Sequence, residues 1–156
     1  MISAFPRRNT KKKGNQMEKK KEFFRALKFV LFSASAGIIE LAVFALLNEL
    51  IGLPYWLCYL VALVASVVWN FTLNRKFTFQ SANNVPKAML LVALFYAVFT
   101  PLSTMLEHYL TEGLHWNEYL ATGINMVLNL TTEYLYDRFV VFRGSIDTNE
   151  RAQKKS

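Results

Sequence analysis

The sequence predicts an all-α integral membrane four-helix bundle, on three observations. Apolar residues make up 53% of the 156 positions and charged residues only 19%, which leaves too little polar surface for a soluble domain of this size. The apolar residues fall in four blocks, residues 29–50, 54–73, 88–109 and 119–136. Each block is about twenty residues, or roughly 30 Å of helix, which matches a bilayer core. The blocks are also apolar around their whole circumference, unlike the one-sided stripe of a soluble bundle.

The first block follows a long basic leader, residues 1–28, with RRNTKKK and the run Lys19–Lys21. It is too long for a secretory signal, and the small cluster SASAG opens it rather than closing it. Met17, which begins MEKKKEFF, offers an alternative start. Glu40 lies about twelve residues past Lys28, roughly 18 Å of rise, near the middle of the membrane. A carboxyl there either pairs across the bundle or binds and releases a proton. The second block closes on WNFTLNRKFTF, with Ser66, Asn70 and Asn74 at i, i+4, i+8. The third holds Pro101, which predicts a kink or a point of rocking. In the fourth, Asn125, Asn129, Glu133 and Asp137 repeat the four-residue spacing.

Residues four apart share a helix face, so the second and fourth helices each carry one polar stripe. Lipid cannot hydrogen-bond those groups, so the stripes should face each other or a wet cavity. Asn70 precedes Lys76 by six residues, about 9 Å, and Glu133 precedes Arg138 by five, about 7–8 Å. The stripes thus concentrate in the inner half of the membrane, with Arg75 and Arg138 at their mouths. An arginine fork suits a phosphate, and amides and carboxylates suit sugar hydroxyls. Asn70, Asn74, Arg75, Asn125, Asn129, Glu133 and Arg138 are therefore the expected substrate-binding residues, in a headgroup pocket open to the cytoplasmic leaflet. The plainer alternative is that the amides hold helices together and the arginines mark topology.

Lys and Arg occur in the leader, in the loop with Arg75, Lys76 and Lys87, and from Arg138 onward; the other two loops have none. Four crossings then place both termini in the cytoplasm by the positive-inside pattern. Tyr55, Trp56, Tyr59, Trp116 and Tyr119 fall at the outer ends, as an interfacial belt would. The net charge of +7 accordingly points to anionic lipid rather than nucleic acid. The expected organisation is a leader at 1–28, a transmembrane domain at 29–143 and a polar cytoplasmic tail at 144–156. A shift of 63 positions lays Arg75 on Arg138, Phe79 on Phe142, Asn74 on Asp137, Asn70 on Glu133 and Ser66 on Asn129. Two hairpins in parallel orientation would be related by an axis along the membrane normal. Cys58 is alone, and His108 and His115 lack ligand spacing, so neither a disulfide nor a metal is expected. No phosphate loop or catalytic set is visible, so neither an enzyme nor a cofactor is expected.

FVLFSASAG, WNFTLNRKFTF and NLTTEYLYDRFVVF, behind a basic leader, resemble the GtrA-like family of small four-helix membrane proteins over about residues 24–143. The signature N-F-x-x-N-R-x-[FW]-T-F falls at Asn70 to Phe79, whereas the fourth helix matches more loosely, reading Tyr-Asp-Arg-Phe. The resemblance implies a flippase moving a polyprenyl-phosphate-linked sugar, often glucose on a carrier such as undecaprenyl phosphate, across the plasma membrane. It implies a role in cell-surface polysaccharide or teichoic acid glycosylation, with membrane glycosyltransferases on either side. It carries over most firmly to Asn70, Asn74 and Arg75. A single four-helix bundle leaves a narrow path, which makes a homodimer plausible. Two other readings compete. One is a proton-coupled exporter of the small multidrug type, with Glu40 as its carboxyl. The other is a non-transporting subunit that anchors a glycosyltransferase.

Overall fold

A computed structural model describes residues 8–155. The side chains of residues 8–11 and of Trp56 are not described, so Met1, part of RRNTKKK and the Trp56 belt position lie outside the described residues. Four long helices account for most of the chain, and there is no strand among the described residues. They are α1 (Arg8–Leu46), α2 (Tyr55–Leu73), α3 (Val85–His108) and α4 (Glu118–Tyr136), followed by a short α5 (Glu150–Gln153).

Each long helix ends in a wide π turn of five residues: Leu47–Ile51, Asn74–Thr78, Tyr109–Gly113 and Asp137–Val141. An N–H five residues on closes each turn: Gly52 onto Leu47 O at 3.1 Å, Phe79 onto Asn74 O at 2.8 Å, Leu114 onto Tyr109 O at 3.0 Å and Phe142 onto Asp137 O at 2.9 Å. These bonds satisfy carbonyls that a helix end leaves open, a need that is acute in lipid. Gly52 (φ 69) and His115 (φ 54) then turn the chain in the left-handed region.

Helices α1, α2 and α3, with their turns, are long and apolar enough to cross a membrane, over Lys12–Ile51, Leu57–Thr78 and Val85–Gly113. At 19 residues α4 is as long as α2. Its face of Asn125, Asn129, Glu133 and Asp137 lowers its hydropathy, so length and composition alone do not mark it. Large apolar residues stay exposed on every helix, among them Leu41, Val64, Val98 and Met126, as a lipid-facing surface requires. The basic leader is helix continuous with the first membrane block: α1 has 39 residues, about 58 Å, nearly twice a bilayer core. Helix α3 runs unbroken through Pro101.

The repeat is a property of the fold. Tyr55–Leu73 and Glu118–Tyr136 differ by 63 at both ends, and so do the turns Asn74–Thr78 and Asp137–Val141. Equivalent residues touch at two depths. Asn70 hydrogen-bonds Glu133, 63 positions on, and the Phe79 and Phe142 rings stack with centroids 4.6 Å apart. A residue meets its own equivalent only near a two-fold axis. Two such meetings at successive levels set that axis along the helices, the parallel-repeat arrangement.

The buried core lies at the basic end, where the leader, the 79–84 loop and the carboxy-terminal segment meet. Phe29, Phe71, Phe79, Phe142, Val92 and Val141 form it. The carboxy-terminal segment is docked against the loop: Asp147 N–H donates to Phe79 O, and the Thr148 and Asn149 N–H groups to Gln80 O, all at 2.9 Å. Arg25, only 8% exposed, fastens the three pieces together. Its guanidinium donates to Asp147 Oδ2 at 2.8 Å, to Thr78 O at 3.3 Å and to Glu22. Removing it leaves the buried Thr78 carbonyl and the Asp147 carboxylate without their partner, while Glu22 keeps Arg138 and Tyr134. The Glu22 and Asp147 carboxylates are 42% and 41% exposed, so solvent screens much of the loss. Arg25→Met should therefore lower unfolding free energy by about 2 kcal/mol, measurable by denaturation in mixed micelles. An unchanged midpoint would show that the tail is not held this way.

Candidate functional site

A ladder of hydrogen bonds runs through the bundle where α2 and α4 meet. Thr78 Oγ1 donates to Asn74 Oδ1 at 2.7 Å, and Asn74 Nδ2 donates to Asn70 Oδ1 at 2.7 Å. Asn70 Nδ2 donates to Glu133 Oε1 at 3.4 Å. Each hairpin adds one hydroxyl from its first helix to the polar group on its second. Ser33 Oγ donates to Asn70 Oδ1 at 3.3 Å, and Tyr96 OH to Glu133 Oε1 at 2.8 Å, each across 37 positions. Glu133 is 4% exposed and Asp137, one turn on, is 6%. Neither makes an ion pair among the described residues. Two buried carboxyls without a cation, one of them held by the neutral donors Asn70 and Tyr96, are costly in so apolar a bundle.

The sequence places one pocket over all seven binding residues; the structure divides them. Asn70, Asn74 and Glu133 share the ladder, and the fully buried Asn74 spends both ends of its amide inside it. Arg75 faces away from the ladder, because it is one residue past Asn74 and so turned about 100° around the helix. Its Nε and Nη2 donate to Asn83 Oδ1 at 3.0 Å and Asn83 O at 2.8 Å. Arg75 and Lys76 line a cleft of about 570 Å³ with Val68, Phe71, Val85 and Met89. Its cations sit at the basic end and its apolar wall runs along the helices. Arg138 meets Glu22 instead, at 3.0 and 3.3 Å, and Tyr134 OH donates to the same carboxylate at 3.2 Å. That carboxylate, which Arg25 also engages, occupies the Arg138 guanidinium.

Asn125 and Asn129 stand apart from the ladder. They line a groove of about 260 Å³ between α3 and α4 with Tyr96, Ser103, Glu107 and Thr122. Asn125 lies about 18 Å along α4 from Asp137, so the stripe continues beyond the half nearest the basic end. Glu40 accepts from Ser66 Oγ at 3.1 Å, within the first hairpin.

Glu22, Arg25, Tyr96, Asn83 and Glu107 were not singled out by sequence. For Tyr96 a signal existed: it lies 63 positions after Ser33, and the repeat asks for a hydroxyl there. The others carry no periodic mark, and the partners that reveal Glu22 and Arg25 lie more than 100 residues away.

The profile of the family described as "GtrA/DPMS, transmembrane domain" matches residues 28–142. No solved structure matches the chain.

Proposed function

Since the chain belongs to the GtrA/DPMS transmembrane-domain family, we propose that it carries a polyprenyl-phosphate-linked sugar, of glucose type, across the plasma membrane. The basic end faces the cytoplasm in this reading, and the sugar serves cell-surface polysaccharide or teichoic acid glycosylation together with membrane glycosyltransferases. The observation that carries it is the Asn70–Glu133 pair, a carboxyl and an amide with no cation, on the axis relating two hairpins. Polar groups at such depth mark a path for a polar cargo more often than a packing device.

The Arg75–Lys76 cleft receives the lipid phosphate, with the polyprenyl chain along Val68, Phe71 and Met89. Both acceptors of Arg75 belong to a neutral asparagine, so no carboxylate among the described residues is bound to it, although Glu150 also lines the cleft. Asn70 and Glu133 exchange hydrogen bonds with sugar hydroxyls as the hairpins shift about their axis. Glu40, the carboxyl assigned to proton coupling in this reading, has Ser66 as its one hydrogen-bond partner among the described residues.

The test is movement of a short-chain polyprenyl-phospho-glucose analogue between leaflets of liposomes holding the purified protein. Arg75→Ala should slow it about tenfold or more, the loss of one phosphate fork. An unaltered rate would refute the phosphate assignment. The long α1, which projects beyond a bilayer, favours a second reading, a docking post for a transferase. In that case the wild-type protein moves no lipid and co-purifies with the transferase.

A further inference from the structure

The two hairpins are equivalent in backbone but not in the seam between their helices. In the first, Cys58 and Ala62 are fully buried and Ser66 is 5% exposed, so small residues bring α1 and α2 together. A step of 63 carries these to Ala121, Asn125 and Asn129, and Phe44 to Glu107. Ala121 is again fully buried, but beyond it the second seam opens into the α3–α4 groove. Symmetry would have supplied a closed seam here; instead Asn125 and Glu107 stand where the first hairpin has the apolar Ala62 and Phe44, and the larger amide Asn129 stands where it has Ser66.

Those polar groups are only partly used. Asn125 Nδ2 donates to Ser103 O at 3.1 Å and Glu107 Oε2 at 3.0 Å, and Thr122 Oγ1 donates to Glu107 Oε1 at 2.7 Å. The carbonyl oxygens Asn125 Oδ1 and Asn129 Oδ1 are buried and have no partner. They lie on one helix face, about 6 Å apart along the axis. Both oxygens are closed off in this arrangement of the amides, so a ligand engages them by turning the two side chains into the groove, and two acceptors beside a carboxylate then suit a ligand rich in O–H donors. They disfavour a phosphate, which offers only acceptors and negative charge. Phe99 and Met126 complete the wall with an apolar surface, against which the C–H face of a sugar ring can lie. The groove is flanked by exposed Leu102 and Met126, so an attached chain can remain in lipid.

We propose that the α3–α4 groove is a binding site for the glycosyl group, a hexose recognised through its hydroxyls. It lies in the half of the bundle away from the basic end. The inference rests on the translocation reading and adds to it: the sugar is held on the flank of the second hairpin after leaving the Asn70–Glu133 ladder. Asn129→Leu and Glu107→Gln are the informative changes. The first removes an orphan acceptor, which should leave stability equal or higher.

An alkyl glucoside carrying a diazirine beside the ring is photolysed on the full chain in nanodiscs, with the matching alcohol as control. The glucoside should label residues 96–107 and 122–129 about fivefold more than the alcohol, and each variant should cut labelling about fivefold, the loss of one hydrogen bond. Equal labelling by the alcohol overturns the site. So does glucoside labelling that both variants leave unchanged, or labelling abolished by sodium ions, which would make it a cation site. The liposome measurement separates this inference from its premise. Wild-type flipping with no sugar-dependent label sinks the groove alone. Sugar-dependent labelling with no flipping keeps the groove and sinks translocation.

Discussion

Replacing Phe79 by alanine is expected to cost about 3–5 kcal/mol of unfolding free energy, the largest loss from any single side chain here. The ring is fully buried. It contacts Phe29 at 6.4 Å, Tyr134 at 5.9 Å and Phe142 at 4.6 Å between centroids, so α1, α4 and the two wide turns at the basic end lose their common neighbour together. The cavity would form among large rings that cannot collapse into it, which puts the cost at the upper end of the range. Phe79→Leu should cost about 1 kcal/mol, because most of the volume remains. Phe142 occupies the equivalent place and stacks on Phe79, so the two alanine changes should fall short of additivity by about 1 kcal/mol. Denaturation of the wild type, the three single variants and the double alanine variant in mixed micelles measures all three quantities. A Phe79→Ala loss below that of Phe79→Leu would show that the basic end is not the stabilising core.

The second large effect belongs to Glu133. Its carboxyl accepts from Tyr96 and Asn70 and has no cation partner among the described residues. Glutamine keeps its shape and one acceptor oxygen, so Glu133→Gln should fold with an unchanged midpoint. If Glu133 replaces water around the cargo as proposed, the translocation rate of this variant should fall about tenfold or more with the lost acceptor, about 1.4 kcal/mol or above. Glu133→Leu should abolish movement and leave the Tyr96 hydroxyl unpaired. Glu133→Gln with a full rate would assign the residue to holding the hairpins together, the plainer reading of any polar group between membrane helices.

The sequence made the helices, both stripes and the 63-residue repeat legible, because each has a period. Four-residue spacing puts Asn70 under Asn74 and Asn129 under Glu133 whatever else the chain does. Periodicity does not tell which groups consume one another. Asn74 reads as a ligand and is spent on Thr78 and Asn70. Arg138 reads as a phosphate receptor and is spent on Glu22, 116 positions away. Glu22 and Arg25 sit in a lysine-rich leader whose composition resembles any solvated basic helix, and only tertiary contact reveals them. Tyr96 was hidden by its aromatic body within an apolar block, although the repeat pointed to it.

The clasp at Arg25 also has a consequence for how the chain is made. Its partner Asp147 lies 122 residues downstream, and the carboxy-terminal segment supplies the bonds to Phe79 and Gln80. A ribosome that has delivered the first hairpin into the bilayer has delivered a clasp without its catch. The first two helices can insert early, but the aromatic core cannot close until residues 142–149 emerge. Truncations or fusions that hinder residues 147–149 should trap the protein as an inserted, unclosed intermediate open to proteolysis.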